Sequence, residues 1–185
     1  MTVPFHQHSI EANLALLQQA TEFLENLPEP LYCIVEAPAF TSFIGAHLRH
    51  VLDHYDSILS GIESGFVDYH TRERDPLTET RPDRALERIR SIQMKLQLAA
   101  EDLNPQGAPL SLRISVEDPR ATIPTSAERE LYFTLSHTLH HFAMIAMIAR
   151  HHGHQIPDCF GVAPSTLAHR NDLSRKAAQQ RQANQ

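Results

Sequence analysis

The stretch Thr125–Gly153, TSAERELYFTLSHTLHHFAMIAMIARHHG, constrains the fold more than any other part of the chain. Its apolar residues recur at helical spacing, so it is expected to be the longest helix. Thr125 with Glu128 resembles a capping box at its start, and Gly153 marks its end. Leu131, Leu135, Phe142, Ile145 and Ala149 form one apolar stripe. His137 and His141 lie beside it, in line with Phe133, Met144 and Ile148. A helix apolar on more than one side has to be enclosed by other elements. Two histidines at i and i+4 point the same way, which is how one helix offers two ligands to a metal ion. Hydrogen bonding inside a core is the other use of such a pair, and an HxxxH alone does not separate the two.

The rest of the chain supplies three further amphipathic helices. The first is expected over Ser9–Leu27, with Ser9 as its cap and Ile10, Leu14, Leu17, Ala20, Leu24 and Leu27 at helical spacing; Pro28 and Pro30 stop it. The second opens at Pro38 or Thr41 and runs to about Ile62, with Ile44, Leu48, Val51, Leu52, Tyr55, Ile58, Leu59 and Ile62 on one face. Gly61 and Gly65 mark its end. A charged, non-periodic loop follows over residues 66–81, of a length usually kept for function or motion. The third helix spans Asp83 to about Leu103, with Ala85, Leu86, Ile89, Ile92, Met94, Leu96 and Ala99 as its apolar positions. Asn104, Pro105 and Gly107 break it. Leu110–Val116 alternates at period two, so an extended segment is expected, but no pairing partner is evident. Residues 155–169 read as an irregular coda. The expected fold is therefore all-α: a four-helix bundle with a long crossover between the second and third helices. Residues 1–169 form the single domain, and 170–185 a polar tail, frayed or helical.

With 42% apolar and 21% charged residues, these 185 residues can bury a full core. A net charge of −6 argues against nucleic acid as a partner, and no apolar run is long enough to span a membrane. The polar first residues do not form a signal peptide, so a cytoplasmic protein is expected. Cys33 and Cys159 form no CxxC pair and read as buried free thiols.

Histidine is the outlier, at 13 residues. His151, His152 and His154 suit the C-terminus of a helix without further function. His47, His50 and His54 fall within one arc beside the apolar face of the second helix. Two helices of one bundle, each with histidines bordering the core, make a three-imidazole metal site plausible. Three nitrogens leave a tetrahedral ion one open position for water or substrate. Helical geometry does not choose among His47, His50 and His54.

GAHLRH in the second helix, SHTLHHFAMI in the fourth, and VDYHTRERD with the following Glu79 between helices two and three resemble the DinB/YfiT-like superfamily. The coda GVAPSTL resembles an uncharacterised branch of it, and the match spans about residues 9–169. The family pattern takes one histidine from helix two and an HxxxH from helix four. The resemblance thus implies His50, His137 and His141 as metal ligands, with His47, His54 and His140 able to orient them or shuttle protons. It implies a divalent metal, zinc foremost and otherwise nickel or iron, and a low-molecular-weight thiol as a further cofactor. Members with assigned activity include thiol-dependent S-transferases, a maleylpyruvate isomerase and sulfoxide synthases; the last role uses a second domain that these residues lack. The expected function is transfer of a thiol, or hydrolysis, on a small-molecule substrate.

Tyr69, Arg72 and Arg74 are the substrate-binding candidates, since arginines suit carboxylates. The structural alternative is that Asp68, Arg72, Glu73, Arg74, Asp75 and Glu79 pair with each other. Arg49 and Asp53 read as a solvated i, i+4 pair. No Glu or Asp sits by the histidines in a general-base motif, which leaves His54 and His140 as catalytic candidates. The alternative function is a non-catalytic metal-binding or stress-related module. A homodimer is expected through a spare apolar strip at Ala143 and Met147.

Overall fold

A computed structural model describes residues 5–102 and 109–183. Helix α1 spans Phe5–Asn26, α2 Ile44–Ser64, α3 Pro76–Thr80, α4 Pro82–Asp102, α5 Ala127–His151 and α6 Pro164–Ala183. A 3-10 turn covers Glu29–Tyr32. Strands β1 (Phe66–Val67), β2 (Leu110–Arg113) and β3 (Thr122–Thr125) form one sheet. The chain is mostly helical, as expected, with one small three-stranded sheet added. The four long helices α1, α2, α4 and α5 pack in a closed order, α2 on α5, α5 on α1, α1 on α4 and α4 on α2.

The apolar stripes make the core. Leu17, Ile44, Leu48, Val51, Leu52, Tyr55, Ile58, Ile89, Ile92, Leu96, Leu131, Phe142 and Ala149 are fully buried. Each large apolar side chain among them contributes about 2 kcal/mol of burial free energy. Met94 is the exception, 60% exposed on the outer face of α4. Among the described residues, no helix is long and apolar enough to cross a membrane. Cys33 and Cys159 are free but exposed, not buried, because both lie in connectors outside the helical core.

Several boundaries move for local reasons. α1 begins before Ser9, which sits inside the helix and accepts a hydrogen bond at its carbonyl from Asn13 Nδ2. The cap of α5 is Ser126, whose side chain accepts from the Arg129 amide; Thr125 instead ends β3 and donates its hydroxyl to Glu130. α2 starts at Ile44, after the connector, and ends at Gly65, whose left-handed φ of 79° lets its amide reach the Gly61 carbonyl. α6 starts inside the expected coda and continues into the polar tail as far as Ala183. Asn104, Pro105 and Gly107 lie outside the described residues.

Periodicity predicted the extended segment that holds β2, but not the strands that pair with it. β2 pairs parallel to β1, placing Val67 beside Leu112, and antiparallel to β3, placing Leu112 beside Ile123. β1 has two residues and β3 contains Pro124, so neither carries a recognisable strand pattern. The expected loop over 66–81 is thus pinned at one end by β1 and at the other by α3, which Asp75 caps through the Leu77 and Thr78 amides.

α3 presses directly on α2. A Cβ at Gly45 would lie 2.1 Å from the Glu79 carbonyl oxygen and 2.6 Å from Tyr32 Cε1, so only glycine permits the approach. Arg49 Nε then reaches Glu79 Oε2 at 2.6 Å, and the Tyr32 hydroxyl donates to the Thr78 carbonyl at 2.6 Å.

One buried polar group ties three helices together. Asn13, fully buried on α1, donates to the Leu131 carbonyl of α5 at 3.1 Å and accepts from the Tyr55 hydroxyl of α2 at 2.8 Å. Asn13→Ala should therefore cost about 2 kcal/mol of stability in urea unfolding, since it strands the Tyr55 hydroxyl in the core. Unchanged stability would show that Thr138, 3.5 Å from that hydroxyl, satisfies it alone.

Candidate metal centre

α2 and α5 carry the histidines on the faces they turn to each other. His47, His50 and His54 repeat along α2, and His137 and His141 along α5. His50 Nε2 lies 3.0 Å from His137 Nε2, across the seam between the helices. The His141 ring centroid is 4.6 Å from that of His50 and 4.6 Å from that of His137. His54 is as close, its centroid 4.5 Å from His50 and 4.2 Å from His137. His47 Nδ1 faces His141 Nδ1 at 3.0 Å. His140 is exposed, its ring 5.2 Å from His141.

Burial makes these imidazoles neutral. Desolvation, reinforced by neighbouring histidines and arginines, lowers the pKa of His50 to about 3, of His137 to about 4 and of His141 to about 3. It lowers those of His47 and His54 as well. A neutral imidazole keeps the lone pair that a metal requires.

The hydrogen bonds fix some tautomers. The His50 carbonyl can only accept, so His54 Nδ1–H donates to it at 2.9 Å and His54 Nε2 keeps its lone pair. Such a bond is the usual partner of a metal-binding histidine. His50 Nδ1 accepts from Arg72 Nη1, which puts the proton of the neutral ring on Nε2, donating to His137 Nε2; ligation through His50 Nε2 would move that proton to Nδ1 and release Arg72.

Metal fit can be judged from the nitrogens. Two imidazoles bound to one tetrahedral ion at about 2.0–2.1 Å hold their nitrogens roughly 3.3 Å apart. The 3.0 Å contact between His50 and His137 is close to that value. Donor atoms of His50, His54 and His137 all lie within 4.8 Å of one another. The histidine-only donor set suits zinc, nickel or iron.

Around this cluster sits an aromatic frame. The Tyr69 ring stacks on His54 at 5.0 Å and Phe133 stacks on His137 at 5.6 Å, with 5.2 Å between the two aromatic centroids. The Tyr69 hydroxyl donates to Glu130 Oε2 at 2.8 Å. Glu130 is itself fully buried and accepts from Thr125 and Arg129 as well. Burial and the Glu130 charge raise the Tyr69 pKa, so its phenol stays protonated. Glu130 escaped sequence reasoning because it follows Glu128 in an ordinary acidic first turn.

The charged segment does not pair with itself. Asp68 binds Arg113 of β2 at 2.9 Å, Glu79 binds Arg49, and Asp75 caps α3. The Arg49–Asp53 pair forms at 2.7 Å but is not solvated: Asp53 is buried and also receives Arg88. Of the substrate candidates, Arg72 reaches the cluster through His50, Tyr69 is committed to His54 and Glu130, and Arg74 is exposed, with a left-handed φ of 54°.

Imidazoles from two packed helices converge here, and His50, His54 and His137 form a group that could hold a metal ion. Residues 13–145 match the DinB superfamily, and the chain belongs to it. Members of that superfamily bind divalent metals. The chain is also similar to FK506-binding protein 5 of Rhizopus delemar, at 33% identity over 104 residues. That stretch covers 56% of this chain and 27% of the fungal protein, so the likeness spans about a quarter of that protein's length.

The depressed histidine pKa values carry a pH dependence. In the unfolded chain these histidines take up protons below about pH 6.5, while the folded ones stay neutral until pH approaches about 4 and then about 3. The unfolded state then binds more protons, so the metal-free protein should lose stability as pH falls through that window. Melting temperatures of wild type and His137→Ala would show it, the variant having the shallower slope. Parallel profiles would disprove the effect.

Proposed function

We propose that this DinB-superfamily chain is a metal-dependent S-transferase or hydrolase acting on a small electrophilic molecule. What supports it is the 3.0 Å approach of His50 and His137 across the α2–α5 seam, with His141 and His54 against both. His50, His137 and His141 would hold the ion, zinc by preference and otherwise nickel or iron. His47, on His141 Nδ1, orients that ligand. A bound divalent ion lowers the pKa of a thiol or a water and so supplies a nucleophile at neutral pH.

The chain's own residues do the rest. His54 holds its Nδ1–H on the His50 carbonyl and presents Nε2 as a proton acceptor beside the cluster. Tyr69 keeps that ring in place by stacking, anchored through its hydroxyl on Glu130. Phe133 does the same for His137 and excludes water from one side. His140, at the exposed edge, is the second candidate for proton exchange. A low-molecular-weight thiol would be the co-substrate, and a homodimer through the exposed Ala143 and Met147 of α5 belongs to the same proposal.

A second set has its own support, because the donor atoms that converge within 4.8 Å belong to His50, His54 and His137. If His54 and His141 both ligate, four imidazoles close the shell and leave no position for a substrate. That outcome would favour a metal-binding module without catalysis.

Metal content of untagged protein after reconstitution separates these possibilities. His50→Ala, His137→Ala and His141→Ala should each lose the metal, whereas His47→Ala and His54→Ala should weaken it about 10–100-fold. Loss in His54→Ala with retention in His141→Ala assigns the ligand set to His50, His54 and His137. Loss in all four of the cluster variants, with no turnover of electrophiles by any thiol, supports the closed shell. Wild type that never takes up stoichiometric metal overturns the proposal.

A further inference from the structure

Two cavities near the histidine cluster differ in kind. The one between α2, α4 and the segment after β1 holds about 520 Å³ and is polar, with Arg72 and five carboxylates in its wall. The other holds about 390 Å³ between α5 and the connector at residues 39–42. Phe40, Met144, Met147 and Ile148 make it mostly apolar, and none of its described lining residues is Asp, Glu, Lys or Arg. His47 and His140 line it as well. His47 Nδ1 lies 3.0 Å from His141 Nδ1, so the cavity abuts the cluster directly. Tyr69 and Phe133 stack on His54 and His137, whereas His47 is open to this cavity. The connector wall is held in place. The Phe40 amide donates to the Glu36 carbonyl at 2.8 Å, and the Phe40 ring meets His151 edge-on at 5.3 Å. The Glu36 carboxylate in turn lies 3.3 Å from His151 Nε2. The wall is thus tied to the end of α5 without a ligand, and a preformed site loses less entropy on binding.

We propose that this cavity binds a neutral apolar ring, as a free molecule or as the apolar end of a larger one, against His47. The lining sets the class. A charged group placed here would lose its water without gaining an ionic partner. Two methionine thioethers and the Phe40 ring offer the soft contacts that suit an aromatic ligand. An apolar cavity of roughly 150 Å³ takes up benzene, so the larger volume here admits a substituted ring. A second copy of the chain is the competing occupant, because Met147 also stands in the proposed dimer strip. Depth favours the small molecule. Met147 is 62% exposed, but Ile148 and His47 are buried and Phe40 and Met144 half-buried, which makes a recess and not a flat face. Calling the bound molecule the electrophile rests on the proposed function; the binding itself does not.

Binding is therefore measured on metal-free protein. Phenylethanol, phenylacetate and phenethylamine are titrated separately, with methionine-methyl and imidazole NMR resonances for affinity and location. Phenylethanol should bind and shift Met144, Met147 and His47, while the two ions bind about fivefold or more weakly. Met144→Gln should weaken phenylethanol about tenfold, with its circular dichroism unchanged. Should that variant unfold, Met147→Gln decides, since its site is mostly exposed, and it should weaken phenylethanol severalfold. No phenylethanol binding to wild type, shifts at Met94 in place of Met144 and Met147, equal affinity for the ions, or equal binding to a folded variant each overturns the site. Sedimentation covers the second copy: a dimer that Met147→Gln dissociates, with no phenylethanol shift at His47, gives the face to that copy and overturns the site too. A protein that binds phenylethanol but never takes up metal keeps the site and loses only the proposed function.

Discussion

Desolvation of imidazoles at the α2–α5 seam is the constraint on which the rest of the structure turns. A histidine at a helix surface is half protonated near its ordinary pKa, and five positive charges in one place would push two helices apart. Here burial keeps His47, His50, His54, His137 and His141 neutral, so they pack against each other through nitrogen contacts and edge-to-face rings. That neutrality is also what metal binding needs. The same burial that costs stability in acid thus prepares the donor set, a coupling common at functional sites.

The cluster keeps its shape because the segment between α2 and α4 is held from outside. Gly45 lets the end of α3 lie against the start of α2, and the Arg49–Glu79 pair closes that contact. β1 joins β2, and Arg113 of β2 returns to Asp68. Between these two anchors run Tyr69 and Arg72, the two residues of the segment that touch the histidines. The buried Glu130 completes the frame from the first turn of α5. A stretch that read as a charged loop, of a length kept for function or motion, is therefore an arm clamped at both ends, with Tyr69 and Arg72 in the middle.

Much of the fold was legible because helical periodicity reports burial directly. The faces assigned to α1, α2, α4 and α5 are the ones found inside, with Met94 the exception on α4. The HxxxH of α5 and the three histidines of α2 were visible for the same reason, as polar residues bordering apolar stripes. Of the sheet only β2 was visible, as the alternating segment Leu110–Val116; its partners were not. A two-residue strand and a strand containing proline carry no alternation, and β1 meets β2 across more than 40 residues of chain. Glu130 and the Asp68–Arg113 pair were hidden likewise, since a charged residue on a helix or turn looks solvated until its partner is placed.

Sequence alone determined where the core helices α1, α2, α4 and α5 form, which faces they bury and which histidines border the core, though it did not show α3. Those properties depend on spacing along one element, and spacing is fully written in the chain. Only the tertiary structure decided how the imidazoles meet: His50 on His137, His47 on His141, His54 turned to a backbone carbonyl, and Arg72 between the cluster and a polar cavity. Such contacts depend on the rotation and separation of two helices about each other. A shift of one ångström there separates a hydrogen bond from none, and no pattern within a single helix encodes it.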